Sequence, residues 1–307
     1  MSSVLERVPI GGRVAVIRLR SMGDCILTTP ALSILKQARP DLSISVVVEE
    51  RCRALFEENP DIAGIFPPSR RALRNWRPHL CLNLHGGGSS AALTALSGAR
   101  WRAGFAHFQY SAIYNVRIPR AQEILSVDRK VHTAEHLASA VFYLGAEKVE
   151  IPRSRLFVTG PARARMPVLP YAVIHPKAAA PEKTWAAERF VEVASYLEDT
   201  LEVEPVFVGG TGEDLSAFRR WRTMPGAPLA ELKSLIAGAV LFLGNDSGPA
   251  HLAAAFGVPV VVIFGASDPV IWGPWRTPAE TLIGRNGIAS VSVGEVMHAL
   301  ERLRVRV

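Results

Sequence analysis

The stretch from Gly244 to Leu252 constrains the fold of this chain more than any other part of the sequence. It holds small and polar residues between an apolar run at 240–243 and an alanine-rich run at 252–255. This order predicts a buried strand, a tight polar turn and a helix. Open α/β sheets bind ligands at such turns, beyond the carboxyl ends of the strands. A turn of this kind also occurs for folding reasons alone.

The groups within this turn suit a phosphate. The helix that follows presents free N–H groups and a positive dipole end. Ser247 and Gly248 let the backbone come close to an anion, while Asp246 and His251 supply polar contacts. We therefore expect an anion site at the start of this helix.

A second loop of the same kind runs from His175 to Trp185. It follows the apolar run 171–174 and precedes a helix pattern over 190–197. Lys183 stands just before that helix, where it would place a point charge on a bound phosphate. A solvated surface lysine explains Lys183 taken alone. Two such loops in one parallel sheet favour a nucleotide diphosphate site.

Apolar runs alternate with helix patterns along both halves of the chain. This alternation predicts parallel, doubly wound sheets. The predicted strands are 14–17, 44–48, 80–84, 171–174, 205–208, 240–243 and 260–264, and the predicted helices are 26–35 (kinked or restarted at Pro30 with Thr29 as cap), 53–58, 190–197, 229–237 and 294–303.

The stretch 152–170 is rich in Pro and Arg and lacks periodicity, which is typical of a linker. We expect two α/β Rossmann-like domains, residues 1–165 and 166–307, that face each other across a ligand cleft. The helix at 294–303 is a candidate to pack back onto the first domain.

Composition describes a soluble globular protein, with 307 residues, 49% of them hydrophobic and 21% charged. Residues 1–9 lack the apolar segment of a signal peptide. The longest apolar tract, 252–265, is too short to span a bilayer. Three cysteines without Cys-x-x-Cys spacing suit a reducing cytoplasm. No metal-ligand spacing and no Asp-x-Asp pair occur, so we expect no metal site.

Charge is unevenly distributed. Residues 1–165 carry 23 Lys and Arg against 13 Asp and Glu, a net charge of +10, whereas residues 166–307 carry a net charge of −3. This asymmetry indicates that the first half meets an acidic partner: a phosphorylated glycan, a membrane surface or nucleic acid. We find no nucleic-acid motif. A solvated basic surface is the alternative.

Three motifs, in this order and spacing, resemble the bacterial lipopolysaccharide heptosyltransferases of glycosyltransferase family 9, which have the two-domain GT-B fold. The first runs from Arg18 to Asp24 and is followed by Thr-Thr-Pro at 28–30. The second is the His-Pro loop that leads to Lys-x-Trp at 183–185. The third is 245–251, with Phe-Gly-Ala-Ser-Asp-Pro at 264–269 behind it.

The resemblance implies transfer of a sugar from a nucleotide-activated donor, typically ADP-heptose, to an acidic lipid-linked core oligosaccharide. It implies a cytoplasmic protein, peripheral at the inner membrane, with no cofactor besides the donor substrate. The implied catalytic base is Asp24 and the phosphate-binding lysine is Lys183. The implied donor-binding residues are His175, Lys177, Glu213 (a ribose contact), Asp246, Ser247, Gly248 and His251.

The chain departs from the family pattern beside the donor phosphates. Lys177 replaces the usual glycine, alanines at 178–180 supply no hydroxyl, and Ala186 replaces a proline after the tryptophan. These changes bear on the identity of the donor more than on the type of reaction. A second lysine could also strengthen diphosphate binding.

The expected chemistry needs a base for the acceptor hydroxyl and positive charge for the leaving diphosphate. Asp24 as an N-cap after Gly23 is the structural alternative to Asp24 as the base. Direct displacement by one hydroxyl inverts the anomeric configuration. His85, Gly86 and Gly87 are candidates to bind the acceptor, and a tight packing turn explains them equally well.

Three other functions fit parts of the sequence. A nicotinamide dehydrogenase needs Gly-x-Gly-x-x-Gly after the first strand, which this chain lacks. A sugar-nucleotide epimerase of the same fold would release nucleotide without an added acceptor. A non-catalytic glycan or nucleotide-sugar binder would not need both Asp24 and Lys183.

Overall fold

The computed structural model describes residues 2–158, 167 and 170–303. The chain divides into two compact units, Met1–Phe157 and Val158–Val307. The predicted linker at 152–170 falls on this division. The predicted boundary at 165/166 lies largely outside the described residues, and it stays a prediction.

The first unit is a parallel sheet of six strands in the order β3-β2-β1-β4-β5-β6. This is the doubly wound order of nucleotide-binding sheets, which reverses between β1 and β4. Its elements are α1 Val4–Arg7, β1 Arg13–Ile17, α2 Met22–Ile26, α3 Thr29–Ala38, β2 Ser43–Val47, β3 Gly64–Phe66, α4 Arg70–Trp76, β4 Leu80–Asn83, α5 Gly88–Leu96, β5 Trp101–Phe105, β6 Val116–Ile118, α6 Ala121–Leu125 and α7 Thr133–Leu144.

The second unit repeats this topology. Its parallel strands lie in the order β12-β11-β10-β7-β8-β9, which reverses between β7 and β10. Its elements are β7 Tyr171–His175, α8 Ala187–Asp199, β8 Glu204–Gly209, β9 Arg222–Pro225, α9 Leu229–Ala237, β10 Leu241–Asn245, α10 Gly248–Phe256, β11 Val260–Phe264, α11 Pro269–Trp272, β12 Ala279–Ile283 and α12 Val293–Arg302. The predicted α/β class with doubly wound sheets is confirmed.

The central strands are buried along their whole length because helices cover both faces of each sheet. Every residue of β10 and β11 is buried. Helix α8 buries Phe190, Val193 and Leu197 on one face, at the spacing of an amphipathic helix. Helix α12 packs Val296 into the core of the second unit. Its predicted packing on the first unit stays a prediction.

Two local predictions needed correction. The chain does restart a helix at Pro30, which lies in the first turn of α3. Thr29 does not cap that helix: the cap position is Thr28, and the Thr29 hydroxyl donates to the carbonyl of Ile26 at 2.8 Å. The helix predicted near 53–58 is a 3-10 helix over Glu50–Leu55.

Within residues 2–158, 167 and 170–303, no helix combines the length and apolar character that a bilayer crossing requires.

Candidate active site

The two phosphate-suited loops of the second unit leave the carboxyl ends of β7 and β10, which are neighbouring strands at the point where the strand order reverses. This is the place where doubly wound sheets bind ligands. The buried Asn245 joins the two loops. Its side-chain amide donates to the carbonyl of Pro176 at 3.0 Å, and its Oδ1 accepts the backbone N–H of Trp185 at 3.1 Å.

Packing against the body of the second unit also fixes the loop that carries Lys183. It forms a 3-10 turn over Pro181–Lys183. Gly265, just after β11, lies directly against this turn, and a Cβ at position 265 would overlap the carbonyl of Glu182. The indole of Trp185 is buried and donates to the carbonyl of Val291 at 2.9 Å. The position of Lys183 therefore depends on packing from two sides.

Two polar contacts link the loops across the strand ends. The Lys183 Nζ lies 3.5 Å from Asp246 Oδ2. The ammonium has three donors, so a contact of this kind leaves hydrogen-bonding capacity for a bound phosphate. The His175 Nδ1 lies 3.0 Å from the hydroxyl of Ser247.

Ser247 is the N-cap residue of α10, yet its side chain does not cap the helix. It turns to His175 instead. The amide of Gly248 at the first helical position therefore suits an anion. His251 lies farther along the first turn of the same helix and is buried.

Glu213 joins this group through His175. Its Oε2 lies 3.7 Å from His175 Nε2 and accepts the backbone N–H of Gly210 at 2.7 Å. The close approach of His175 holds the pKa of Glu213 below its usual value, and the Gly210 N–H and the charge of Lys177 act in the same direction. The structure thus brings all the predicted donor residues to one edge of the second sheet, and Glu213 is an ionised acceptor there.

Asp24 lies at the corresponding edge of the first sheet. It is the third residue of α2, whose N-cap is Ser21. The Ser21 hydroxyl accepts the Asp24 N–H at 3.2 Å and donates to Asp24 Oδ2 at 2.7 Å. The alternative in which Asp24 itself caps a helix after Gly23 is therefore wrong, because Ser21 fills that position.

Arg18 has a role that the sequence did not reveal. Its guanidinium pairs with Asp24 Oδ1 and donates to the carbonyl of Leu84. Arg18 therefore ties the turn after β1 to the loop after β4, as Asn245 ties the two loops of the second sheet. Its place in the first motif was the only signal, since its partner Leu84 is distant in sequence.

The loop after β4 forms the tight turn that the sequence allowed, and its role in binding the acceptor stays a prediction. Asn83 Oδ1 accepts the N–H groups of His85 at 3.0 Å and Gly86 at 3.2 Å. Gly86 has φ +79°, and a Cβ there would lie 2.7 Å from the ring of Phe108, so it serves a tight turn. Gly87 is the N-cap residue of α5.

His85 is partly exposed beside this turn. Burial lowers its pKa, and the charges of Arg18 and Arg20 act in the same direction. The ring is therefore a neutral hydrogen-bonding group at neutral pH, close to the turn that carries Asp24.

Comparisons with known proteins agree with these features. The family described as glycosyltransferase family 9 (heptosyltransferase) matches residues 69–293. Lipopolysaccharide heptosyltransferase 3 of Escherichia coli strain K12 is 28% identical, over 84% of this chain and 83% of its own length.

Two solved structures have the same fold. A family 9 glycosyl transferase from Veillonella parvula has a TM-score of 0.84 at 24% identity, covering 95% of this chain and 97% of its own. The ADP-heptose LPS heptosyltransferase II of E. coli has a TM-score of 0.80 at 21% identity, covering 95% and 98%. Since the family match extends over most of the chain and includes both loops of the second sheet, the protein belongs to glycosyltransferase family 9.

Proposed function

We propose that this transferase moves heptose from ADP-heptose onto a lipopolysaccharide core or a related lipid-linked glycan, with inversion at the anomeric carbon. The observation that carries the proposal is the Lys183–Asp246 pair, set beside the N-terminus of α10 at the reversal point of the second sheet. The names of the relatives, which are lipopolysaccharide heptosyltransferases, support heptose as the sugar.

The second unit binds the donor in this proposal. As the bond between the anomeric carbon and the diphosphate breaks, negative charge grows on the departing ADP. Lys183 and the first amide of α10 stabilise that charge. Glu213 is ionised and accepts a hydrogen bond from a ribose hydroxyl, while Lys177 adds a second positive charge near the diphosphate.

The first unit activates the acceptor. Asp24 takes the proton of the attacking hydroxyl, whose oxygen forms the new bond on the face opposite the diphosphate. A carboxylate has about four lone-pair positions, so the bonds from Ser21 and Arg18 leave room for the acceptor proton. These two bonds also fix the direction in which the carboxylate points.

We propose that the reaction needs no metal ion, because Lys183 and the α10 amide supply the positive charge. The test is transfer from ADP-heptose in the presence of excess EDTA. The measured quantities are the ADP released and the glycosylated acceptor formed. Undiminished transfer supports the proposal. Activity that disappears in EDTA and returns with magnesium or manganese would overturn metal independence.

The same assay separates the two rival functions. An epimerase converts the donor and releases nucleotide without any acceptor. A non-catalytic binder raises its melting temperature with the donor but releases no ADP. We expect neither result: ADP should appear together with product and depend on the acceptor.

A further inference from the structure

Helix α4 and the residue that follows it carry four arginines within eight positions of the chain. We call Arg70, Arg71, Arg74 and Arg77 the arginine face: three lie on α4 and Arg77 follows it. All four side chains are exposed. Together with Asn75 they line an open cavity of about 740 Å³.

The arginine face is not paired with carboxylates in the part of the chain that the structure describes. Other arginines of the first unit pair with carboxylates, as Arg39 does with Asp41 and Arg129 with Glu135. Within the described part of the chain, none of the four arginines of the face forms an ion pair, and α4 itself contains no Asp or Glu. The charge of this surface is therefore not neutralised by its neighbours.

Some of these charges oppose the stability of the helix that carries them, whereas Arg74 lies in the last turn, where the dipole favours a cation. Arg70 and Arg71 occupy its first turn, where the positive end of the helix dipole disfavours cations. Arg70 and Arg74 are like charges at i and i+4, which repel. Two such unfavourable features on one short helix indicate that the arginines serve binding rather than folding.

The opposite side of α4 supplies the stability. Leu73 is buried in a core cluster of the first unit, and Trp76 packs against Phe66 with ring centroids 5.5 Å apart. The N-cap Ser69 accepts the N–H of Ala72 at 3.3 Å. The buried side of the helix is therefore fixed by packing, and the exposed side presents the arginine face.

We propose that the arginine face docks the protein on a membrane surface of anionic phospholipid. Arg70, Arg74 and Arg77 follow one line along the helix axis, and seven helical residues span about 10 Å. A line of separate, exposed guanidinium groups fits an extended negative surface better than it fits one phosphate. Guanidinium groups also bind phosphodiesters through paired donors.

The proposal deepens the proposed function, since a lipid-linked acceptor lies at a membrane, but the docking itself does not require catalysis. Each basic residue near an anionic leaflet contributes about fivefold in binding. Loss of three arginines should therefore weaken binding by about 10²-fold.

The experiment is co-sedimentation of the full chain with vesicles. One set is equimolar phosphatidylglycerol and phosphatidylcholine, and the other is phosphatidylcholine alone. The test variant carries Arg70→Gln, Arg71→Gln and Arg74→Gln. The matched control carries Arg100→Gln, Arg117→Gln and Arg153→Gln, which removes equal charge from exposed positions of the same unit.

We expect the wild type and the control to bind the anionic vesicles, and the test variant to lose about 10²-fold in affinity. We also expect the test variant to melt at the same or a higher temperature, because it removes repulsion in α4. Equal binding by all three proteins, or equal loss in both variants, would overturn the proposal.

A second assay separates docking from acceptor binding. Transfer is measured with a water-soluble, delipidated acceptor in the absence of vesicles. Unchanged transfer by the test variant, together with lost vesicle binding, supports docking. A raised acceptor KM in this assay with vesicle binding intact would assign the face to the glycan and overturn docking. Absent transfer by the wild type would instead count against the proposed function.

Discussion

Asp24 is the residue on which the proposed chemistry depends. We expect Asp24→Asn to lower the transfer rate by about 10²–10⁴, the usual cost of losing a general base, with little change in donor affinity. Measured on the same variant, the transfer rate should fall while the donor affinity from calorimetry stays close to that of the wild type.

The control for this change is Asp41→Asn. Asp41 is also an aspartate of the first unit held by an arginine, Arg39, at 2.7 Å. We expect this variant to transfer normally. Near-normal turnover by Asp24→Asn would remove Asp24 from the mechanism.

Lys183 supports the second residue-scale prediction. Lys183→Gln removes the positive charge that stabilises the leaving diphosphate, and it leaves Asp246 without its ion-pair partner. We therefore expect kcat to fall by about 10²–10³ and donor KM to rise. Adding Asp246→Asn should restore part of the donor affinity, because it removes the repulsion between the unpaired Asp246 carboxylate and the donor diphosphate. Steady-state kinetics of the single and double variants test this.

Lys177→Gln is the matched comparison, since Lys177 acts on Glu213 through its charge. We expect a smaller effect from it than from Lys183→Gln. The reverse order would show that Lys177 is the main phosphate ligand.

At the scale of elements, the packing of Gly265 against the Lys183 turn gives a prediction about stability. Gly265→Ala places a methyl group into the carbonyl of Glu182, and overpacking of this kind costs about 1–3 kcal/mol. We expect a lower melting temperature and a raised donor KM, because the turn must shift.

Gly294→Ala is the control. Gly294 lies in α12, and a Cβ there meets no atom within 4 Å. We expect it to be neutral or stabilising. If both variants have the melting temperature of the wild type, the close packing of Gly265 does not fix the Lys183 turn.

The same scale shows what the sequence could predict. The central strands, such as β7 and β11, are continuous apolar runs because both their faces are buried, and the sequence identified them. The strands β3, β5, β6, β9 and β12 were missed. Strands β3 and β6 have three residues each, β9 and β12 contain no buried residue, and β5 begins with two half-exposed residues. Backbone pairing with a neighbour places these strands, and it leaves no apolar pattern.

The candidate site, like the fold, was predicted only in part. The loops were visible because each follows an apolar run and precedes a helix. The tasks of Arg18 and Asn245 were not visible, because each contacts a carbonyl on a loop far away in sequence. Such contacts exist only once parallel strands have brought the loops to one sheet edge.

For the whole molecule, the uneven charge gives a prediction about ionic strength. The first 165 residues carry +10 and the remainder −3. Attraction of an acidic acceptor is long-range and screened, with a Debye length of about 10 Å at 0.1 M salt. We expect acceptor KM to rise steeply with salt, and donor KM to change less because Lys183 acts at close range.

Initial rates at several salt concentrations, with one substrate varied at a time, test this prediction. An acceptor KM that does not respond to salt, or that responds no more than the donor KM, would mean that the basic half is only a solvated surface.

The central claim is that the protein joins heptose from ADP-heptose to a lipid-linked glycan. The most direct measurement is mass spectrometry of a heptose-free lipopolysaccharide acceptor after incubation with the protein and ADP-heptose, with released ADP quantified in parallel. We predict an acceptor heavier by one heptosyl group and one ADP released for each product. ADP or a converted donor that forms without acceptor, with no heavier acceptor, would contradict the claim.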